Sequence, residues 1–249
     1  MASERVTAGR RSTCLGGSAA LRAAKSPAAS NAGNLYFGTD AALLSRDKGS
    51  GNGYSHWGPI YPLVAPPNAA AWTWVNQGTA SVSDSAGGVF LNGPAASSIN
   101  WRCLVKSAPG TPYTITACFL AVIIGGSSES AGLVWRQSSD GKLVTFGFDK
   151  NSTSDQVIEV SKYTNPTTFS AHYSPFPIIW SSAAQLLWMR ISDDGTNRKC
   201  FVSADGVNWI EVHSVGRTDF LTADQVGWAV NPRSSNFATA ATLISWQEA

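Results

Sequence analysis

Between Leu187 and His213 the chain runs through three short alternating segments, and both breaks between them contain Asp-Gly. Leu187, Met189 and Ile191 alternate with Arg190 and Ser192. Asp193-Asp194-Gly195-Thr196-Asn197 then interrupts. Arg198 to Ser203 alternates again, with Cys200 and Val202 on one face. Ala204-Asp205-Gly206-Val207 interrupts a second time, before Asn208 to His213. Alternation with period two marks a half-buried strand. Gly supplies the positive φ of a tight hairpin turn without a Cβ clash. The stretch therefore predicts an antiparallel three-strand meander and places the chain in the all-β class.

The region before and after repeats this grammar. Strands are predicted at Trp72 to Val75, Gly88 to Leu91, Ile99 to Val105, Tyr113 to Ile124, Gly132 to Gln137, Lys142 to Phe148, Gln156 to Lys162, Gln225 to Val230 and Ala241 to Trp246. Ala108-Pro109-Gly110 and Ser139-Asp140-Gly141 separate neighbouring runs. Many short strands with regular turns predict a sandwich or barrel. The wholly apolar Phe119 to Ile124 predicts a strand covered on both faces. Tyr163 to Ser182, which mixes Pro, Ser and aromatics, reads as a long recognition loop or a subunit contact.

Upstream the composition changes. Residues 1–34 are rich in Ala, Ser and Gly and carry Arg5, Arg10, Arg11, Arg22 and Lys25 against Glu4 alone. Such a segment buries too little apolar surface to offset its ordering entropy, so it reads as an extended arm ordered by an outside partner. Residues 35–68 read as a short β-hairpin (Leu35-Tyr36-Phe37 and Leu43-Leu44) followed by a Pro/Gly-rich linker. Residues 69–249 read as one β-domain.

The chemistry-bearing residues are sparse. Cys14, Cys103, Cys118 and Cys200 form no CxxC, and no His stands at metal-ligand spacing, so neither a metal nor a cofactor is expected. The last three read as buried free thiols, with a Cys103–Cys200 bridge left open. Asp193, Asp194 and Asn197, or Asp205 and Asn208, offer oxygens to calcium, but Asp-Gly turns need the same residues for their backbone. Two carboxyl groups on one sheet face would be needed for glycoside hydrolysis. Glu159 and Glu211 each stand alone in an alternating run and read as solvated, and His56, His172 and His213 lack a nucleophile-elbow context. The chain is therefore read as not an enzyme. Trp57, Trp135, Tyr173, Trp180, Trp188 and Trp209 are the candidate contacts for a sugar or a second subunit, because an aromatic face suits the apolar face of a pyranose. A net charge of +2 and the scattered basic residues of the arm argue against nucleic acid. No apolar run is long enough for a membrane-spanning helix. No apolar segment follows the basic N-terminus, which predicts a chain made in a cytoplasm.

Two resemblances add to this. Pro112-Tyr113-Thr114-Ile115-Thr116, Ala131-Gly132-Leu133-Val134-Trp135-Arg136, Asp140-Gly141-Lys142, Trp188 to Gly195, Ser203 to Trp209 and Val226-Gly227-Trp228-Ala229-Val230 together resemble the concanavalin-A-like, or laminin-G-like, jelly roll. That resemblance implies an antiparallel two-sheet sandwich over roughly residues 70–249 and leaves function open. Gly33 to Asp40, Leu44 to Ser50 and Trp57 are similar to a segment of tailed-bacteriophage appendage proteins, with Ser45 where an aromatic is common and a longer loop before Trp57. This second resemblance implies a virion protein assembled in a host cytoplasm, a short tail fibre or similar appendage. Its arm would bind other virion proteins, it would be a homotrimer, and its head would contact a host-surface glycan. A capsid decoration protein and a carbohydrate-binding module are the alternatives.

Overall fold

The computed structural model describes residues 14–17, 35–38, 43–47, 54–59, 63–85, 87–123, 128–150, 156–173, 178–179, 187–233 and 236–249. The arm residues Arg5, Arg10, Arg11, Arg22 and Lys25 lie outside them, as does Trp180. The chain divides into two units between Pro62 and Leu63.

The first unit contains β1 (Cys14–Gly17), β2 (Leu35–Gly38), β3 (Leu43–Asp47) and β4 (Tyr54–Pro59), hydrogen-bonded in that order. The expected hairpin is β2–β3, with Phe37 opposite Leu44. It is extended on one side by β4 and on the other by β1, which runs parallel to β2. β4 ends at Pro59, which has no N–H to give to a ladder.

The second unit holds β5 (Thr73–Val75), β6 (Ser81–Ser85), β7 (Gly88–Gly93), β8 (Arg102–Ser107), β9 (Tyr113–Val122), β10 (Ser130–Arg136), β11 (Leu143–Lys150) and β12 (Gln156–Asn165). It continues with β13 (Thr168–His172), β14 (Ile178–Ile179), β15 (Leu187–Asp193), β16 (Asn197–Ser203), β17 (Ile210–Gly216), β18 (Gln225–Asn231) and β19 (Thr239–Glu248). One sheet runs β13-β12-β11-β10-β18-β8-β5, with β14 also on β12, and the other runs β17-β16-β15-β9-β19-β7-β6. All pairings within them are antiparallel. This is the expected two-sheet jelly-roll sandwich, and its meander is β15-β16-β17.

Alternate side chains of both sheets meet between them. Leu133, Phe146, Val160, Met189, Ile191, Phe119, Trp228 and Leu243 are among the buried residues of this core. Its aromatic centre is Trp72, edge-on to Trp246 at 4.9 Å and to Trp228 at 6.3 Å. Such pairs add about 0.5–1.5 kcal/mol each beyond the area they bury. Trp135 lies here too, its Nε1 donating to the Tyr113 hydroxyl at 3.1 Å. The Arg198 guanidinium is 1% exposed, lies 5.3 Å from the Trp135 ring, and donates from Nη2 to the Asp219 carbonyl.

Three expectations change. The strand from Phe119 is not covered on both faces: Leu120 and Val122 are 38% and 45% exposed, because the outer face of this sheet is uncovered there. The segment Tyr163 to Ser182 is not wholly loop, since β12 continues to Asn165 and turns back as β13. β6, four Ser and Asp residues apart from Val82, carried too little alternation to be read. The Asp-Gly turns behave as expected, with Gly195 at φ +92° and Gly206 at +75°. The second folds back over the outer face of the smaller sheet, where a Cβ on Gly206 would sit 2.8 Å from the Trp188 ring.

Gly206→Ala therefore meets a strained φ and a steric clash together. It is expected to lower unfolding free energy by about 1–3 kcal/mol, whereas Gly110→Ala, with open space around its Cα, changes it little. Phe119→Ala is expected to cost about 3–5 kcal/mol and Leu120→Ser under about 0.5 kcal/mol. Urea unfolding midpoints of the four variants check these differences.

Candidate functional site

The outer face of the larger sheet is set by strand register. Gly132 stands opposite both Gly147 and Ala229, Gly227 opposite Val105, Thr145 opposite Ser161, and Gly147 opposite Glu159. All these residues point away from the core. A Cβ on Gly132 or Gly147 would lie 2.2 Å from a carbonyl oxygen of the neighbouring strand, so the two strands approach closely there and the floor carries no side chain. Part of this face is closed by its own small cluster of Trp101, Cys103, Val105, Val134, Leu143, Tyr163 and Ala229. Beside that cluster the face opens into a cleft lined by Ser130, Thr145, Gly147, Asp149, Glu159 and Ser161, with Trp101 and Tyr163 on the apolar side. The cleft is shallow and half-open, with about 10 Å³ of space, close to what one water needs.

Asp149 and Glu159 sit on β11 and β12, on either side of one hairpin. Asp149 pairs with Val157, and Glu159 with Gly147. The two carboxyl groups are therefore diagonal neighbours on the same face. Ser130 Oγ donates to Asp149 Oδ2. Burial pushes the Asp149 carboxyl up to about 7, and the charge of Glu159 pushes the same way, while Ser130 and Arg233 oppose the rise. Glu159 is 15% exposed at its side chain, so it is not the solvated residue expected of it. Its Oε1 meets His172 Nδ1 at 2.5 Å and accepts a hydrogen bond from Ser161 Oγ. Ser161 Oγ also lies 3.0 Å from the same His172 nitrogen. A Ser-His-acid relay needs its serine and its acid on opposite ring nitrogens. Here both use Nδ1, so this triangle positions His172 and does not activate Ser161.

A line of rings leads from the cleft to the edge of the sheet. Trp101 meets Tyr163 edge-on at 5.5 Å, Tyr163 meets Phe169 at 5.6 Å, and Phe169 lies 4.6 Å from His172. Trp101 is buried and Phe169 is 38% exposed. The His172 side chain is 51% exposed. An exposed ring beside carboxyl groups is what a sugar-binding face uses: a flat apolar surface for the ring and acceptors for hydroxyl groups.

The six expected contact residues are not gathered here. Trp135 is 1% exposed inside the sandwich and Trp188 is 1% exposed under the Gly206 turn, so neither offers a face to a ligand. Trp209 is half-buried, with the Arg190 guanidinium 3.8 Å from its ring centroid. Arg190 is itself held by Thr116. Tyr173 is half-buried, donates to Asp219 Oδ1 at 2.5 Å, and has Lys162 Nζ 4.0 Å from its ring. Trp57 falls on β4, its side chain outside the described structure, and Trp180 is outside it altogether. The three described thiols are free and buried. Cys103 belongs to the outer-face cluster and Cys200 to the core, so they do not bridge, and burial pushes Cys103 and Cys118 up to about 12. The turn carboxylates serve their turns. Asp194 Oδ1 accepts from Thr196 and Asn197 amides, Asp205 Oδ1 from those of Val207 and Asn208, and Asp193 holds Arg217 through both oxygens. Glu211 is exposed, as read.

No protein-family model and no curated protein matches the chain. Solved structures do. A functionally unknown protein from Saccharomyces cerevisiae is 17% identical and aligns over 74% of this chain and 98% of its own, with a TM-score of 0.54. A xylan β-1,4-xylosidase from Bacillus halodurans gives 12% identity over 78% of this chain and 41% of its own, with a TM-score of 0.55. A GH43 protein from Bacillus licheniformis gives 14% identity over 86% and 52%, with a TM-score of 0.53. This chain thus spans about half or less of the two bacterial chains. At these identities the likeness is one of fold, the two-sheet β-sandwich described above.

The Asp149 environment has a measurable consequence. Its folded value near 7 exceeds the unfolded value of about 3.9. Between those values the folded chain holds a proton that the unfolded chain lacks. The stabilisation this carries is full below pH ~4 and is lost as pH rises through about 7. Asp149→Asn is expected to flatten the stability profile and to gain on the parent above pH ~7. Urea unfolding at several pH values checks this, with carboxyl-carbon NMR titration of Asp149 as the direct readout.

Proposed function

We propose that the chain is a glycan-binding surface protein of a bacteriophage virion, with residues 63–249 as the recognition head and the N-terminal region as the attachment to other virion proteins. The virion setting rests on the resemblance of Gly33 to Trp57 to phage appendage segments. The recognition role rests on one observation above the others: Asp149, Glu159 and His172 converge on one sheet face beside the exposed ring of Phe169. The face combines oriented acceptors with an apolar platform, and the cleft is open rather than closed over a substrate. The His172 geometry leaves Ser161 without an activating base.

The test is a glycan array and a whole-cell binding assay with the full chain. Saccharide binding that falls about tenfold or more in Phe169→Ala, a change of about 1.4 kcal/mol, with an unchanged unfolding midpoint supports the reading. The same saccharide should release no reducing ends on prolonged incubation. Deletion of residues 1–34 should leave saccharide binding intact and abolish uptake into particles. A chain that binds particles and no saccharide or cell surface would overturn the recognition role and leave a decoration protein.

A further inference from the structure

The proposed recognition face carries more information than a general affinity for sugars. Asp149 and Glu159 lie one register step apart on the same face, and Ser130 and Ser161 direct them. Ser130 engages Oδ2 of Asp149, and both Ser161 and His172 engage Oε1 of Glu159. Asp149 Oδ1 and Glu159 Oε2 accept no hydrogen bond from any described residue, although a carboxylate oxygen has room for two. No lysine or arginine is among the residues lining the cleft. Arg233 acts on Asp149 only through its field, and His172 stands on Oε1 of Glu159. Trp101 lines the apolar side of the cleft; it is 2% exposed, with its Nε1 buried beside the Tyr163 hydroxyl.

Two carboxyl groups this close resist ionising together. Burial and that repulsion keep the proton on Asp149 up to about 7, and a positive charge between the two groups would take that proton's place. An anionic sugar adds to the repulsion. A neutral sugar fills the free acceptors and leaves the charge uncompensated. An ammonium group does both things at once, since it has three donors and the missing charge.

We propose that the cleft binds an amino sugar through its ammonium group, placed between Asp149 Oδ1 and Glu159 Oε2, with Phe169 against the sugar ring. This rests on the glycan-binding reading above and narrows it to saccharides with a free amine.

Isothermal titration of the full chain with a fully deacetylated chitosan oligomer, and with the N-acetylated oligomer of equal length, separates the two ideas. Tighter binding of the free-amine oligomer by about tenfold, lost in both Asp149→Asn and Glu159→Gln and weakened by added salt, supports the proposal. Both variants keep side-chain shape, and a cooperative thermal unfolding transition in each confirms that they fold. Equal binding of the two oligomers, or full free-amine binding in the two variants, overturns the amine assignment and leaves the glycan reading standing. Binding to neither oligomer, together with a blank glycan array, overturns both. Binding to neither oligomer but to a neutral or acidic saccharide on the array overturns the amine assignment alone.

Discussion

The burial of alternate side chains between two twisted sheets is the constraint on which the rest depends. Phe146, Leu133 and Trp228 on the inner face of the larger sheet meet Phe119, Met189 and Leu243 on the smaller one, and Trp72 closes one end against Trp246. A slip of one residue in any of these strands would turn its core side chains to solvent. The core therefore locks register, and register places every residue of the outer face. Asp149 faces outward because Phe148 faces inward. Glu159 follows for the same reason from Ile158 and Val160.

That outer face is built at a cost. Partly desolvated carboxyl groups are unfavourable unless something compensates them. Ser130, Ser161 and His172 compensate in part, through hydrogen bonds that also fix where the oxygens point. The bare floor of Gly132 and Gly147 keeps the space above them clear. Several charged groups elsewhere are paired internally: Asp193 holds Arg217, Arg190 lies on Trp209, and the turn aspartates take turn amides. The contrast between those closed interactions and the open acceptors of the cleft singles this face out.

The fold was largely legible. The Asp-Gly turns at Gly195 and Gly206, and the alternation around Met189, Cys200 and Trp228, each pointed to the same sandwich. β6 was missed because Ser81, Ser83, Asp84 and Ser85 have no alternation to show. The site was much less legible. Tryptophans drew attention as large aromatic faces, but Trp135 is used as core between the sheets and Trp188 is covered by the Gly206 turn. Glu159 looked solitary because its partner, Asp149, stands ten positions earlier on another strand. The missing step was the hairpin pairing of Lys150 with Gln156, which puts both acids on one face.

Most strands of the sandwich, its Asp-Gly turns and the two-sheet class are readable from local pattern, since period-two alternation and glycine φ preference act over a few residues and need no distant partner. Only the tertiary structure decided which residues form a site. Trp101, Ser130, Asp149, Glu159 and His172 come from five separate segments, and Phe169 is the one platform left uncovered among them. Their meeting depends on the pairing of β10 with β11, β11 with β12, and β12 with β13. Long-range pairing of this kind is selected by the shared core beneath, where many weak contacts act together, and no local pattern records it.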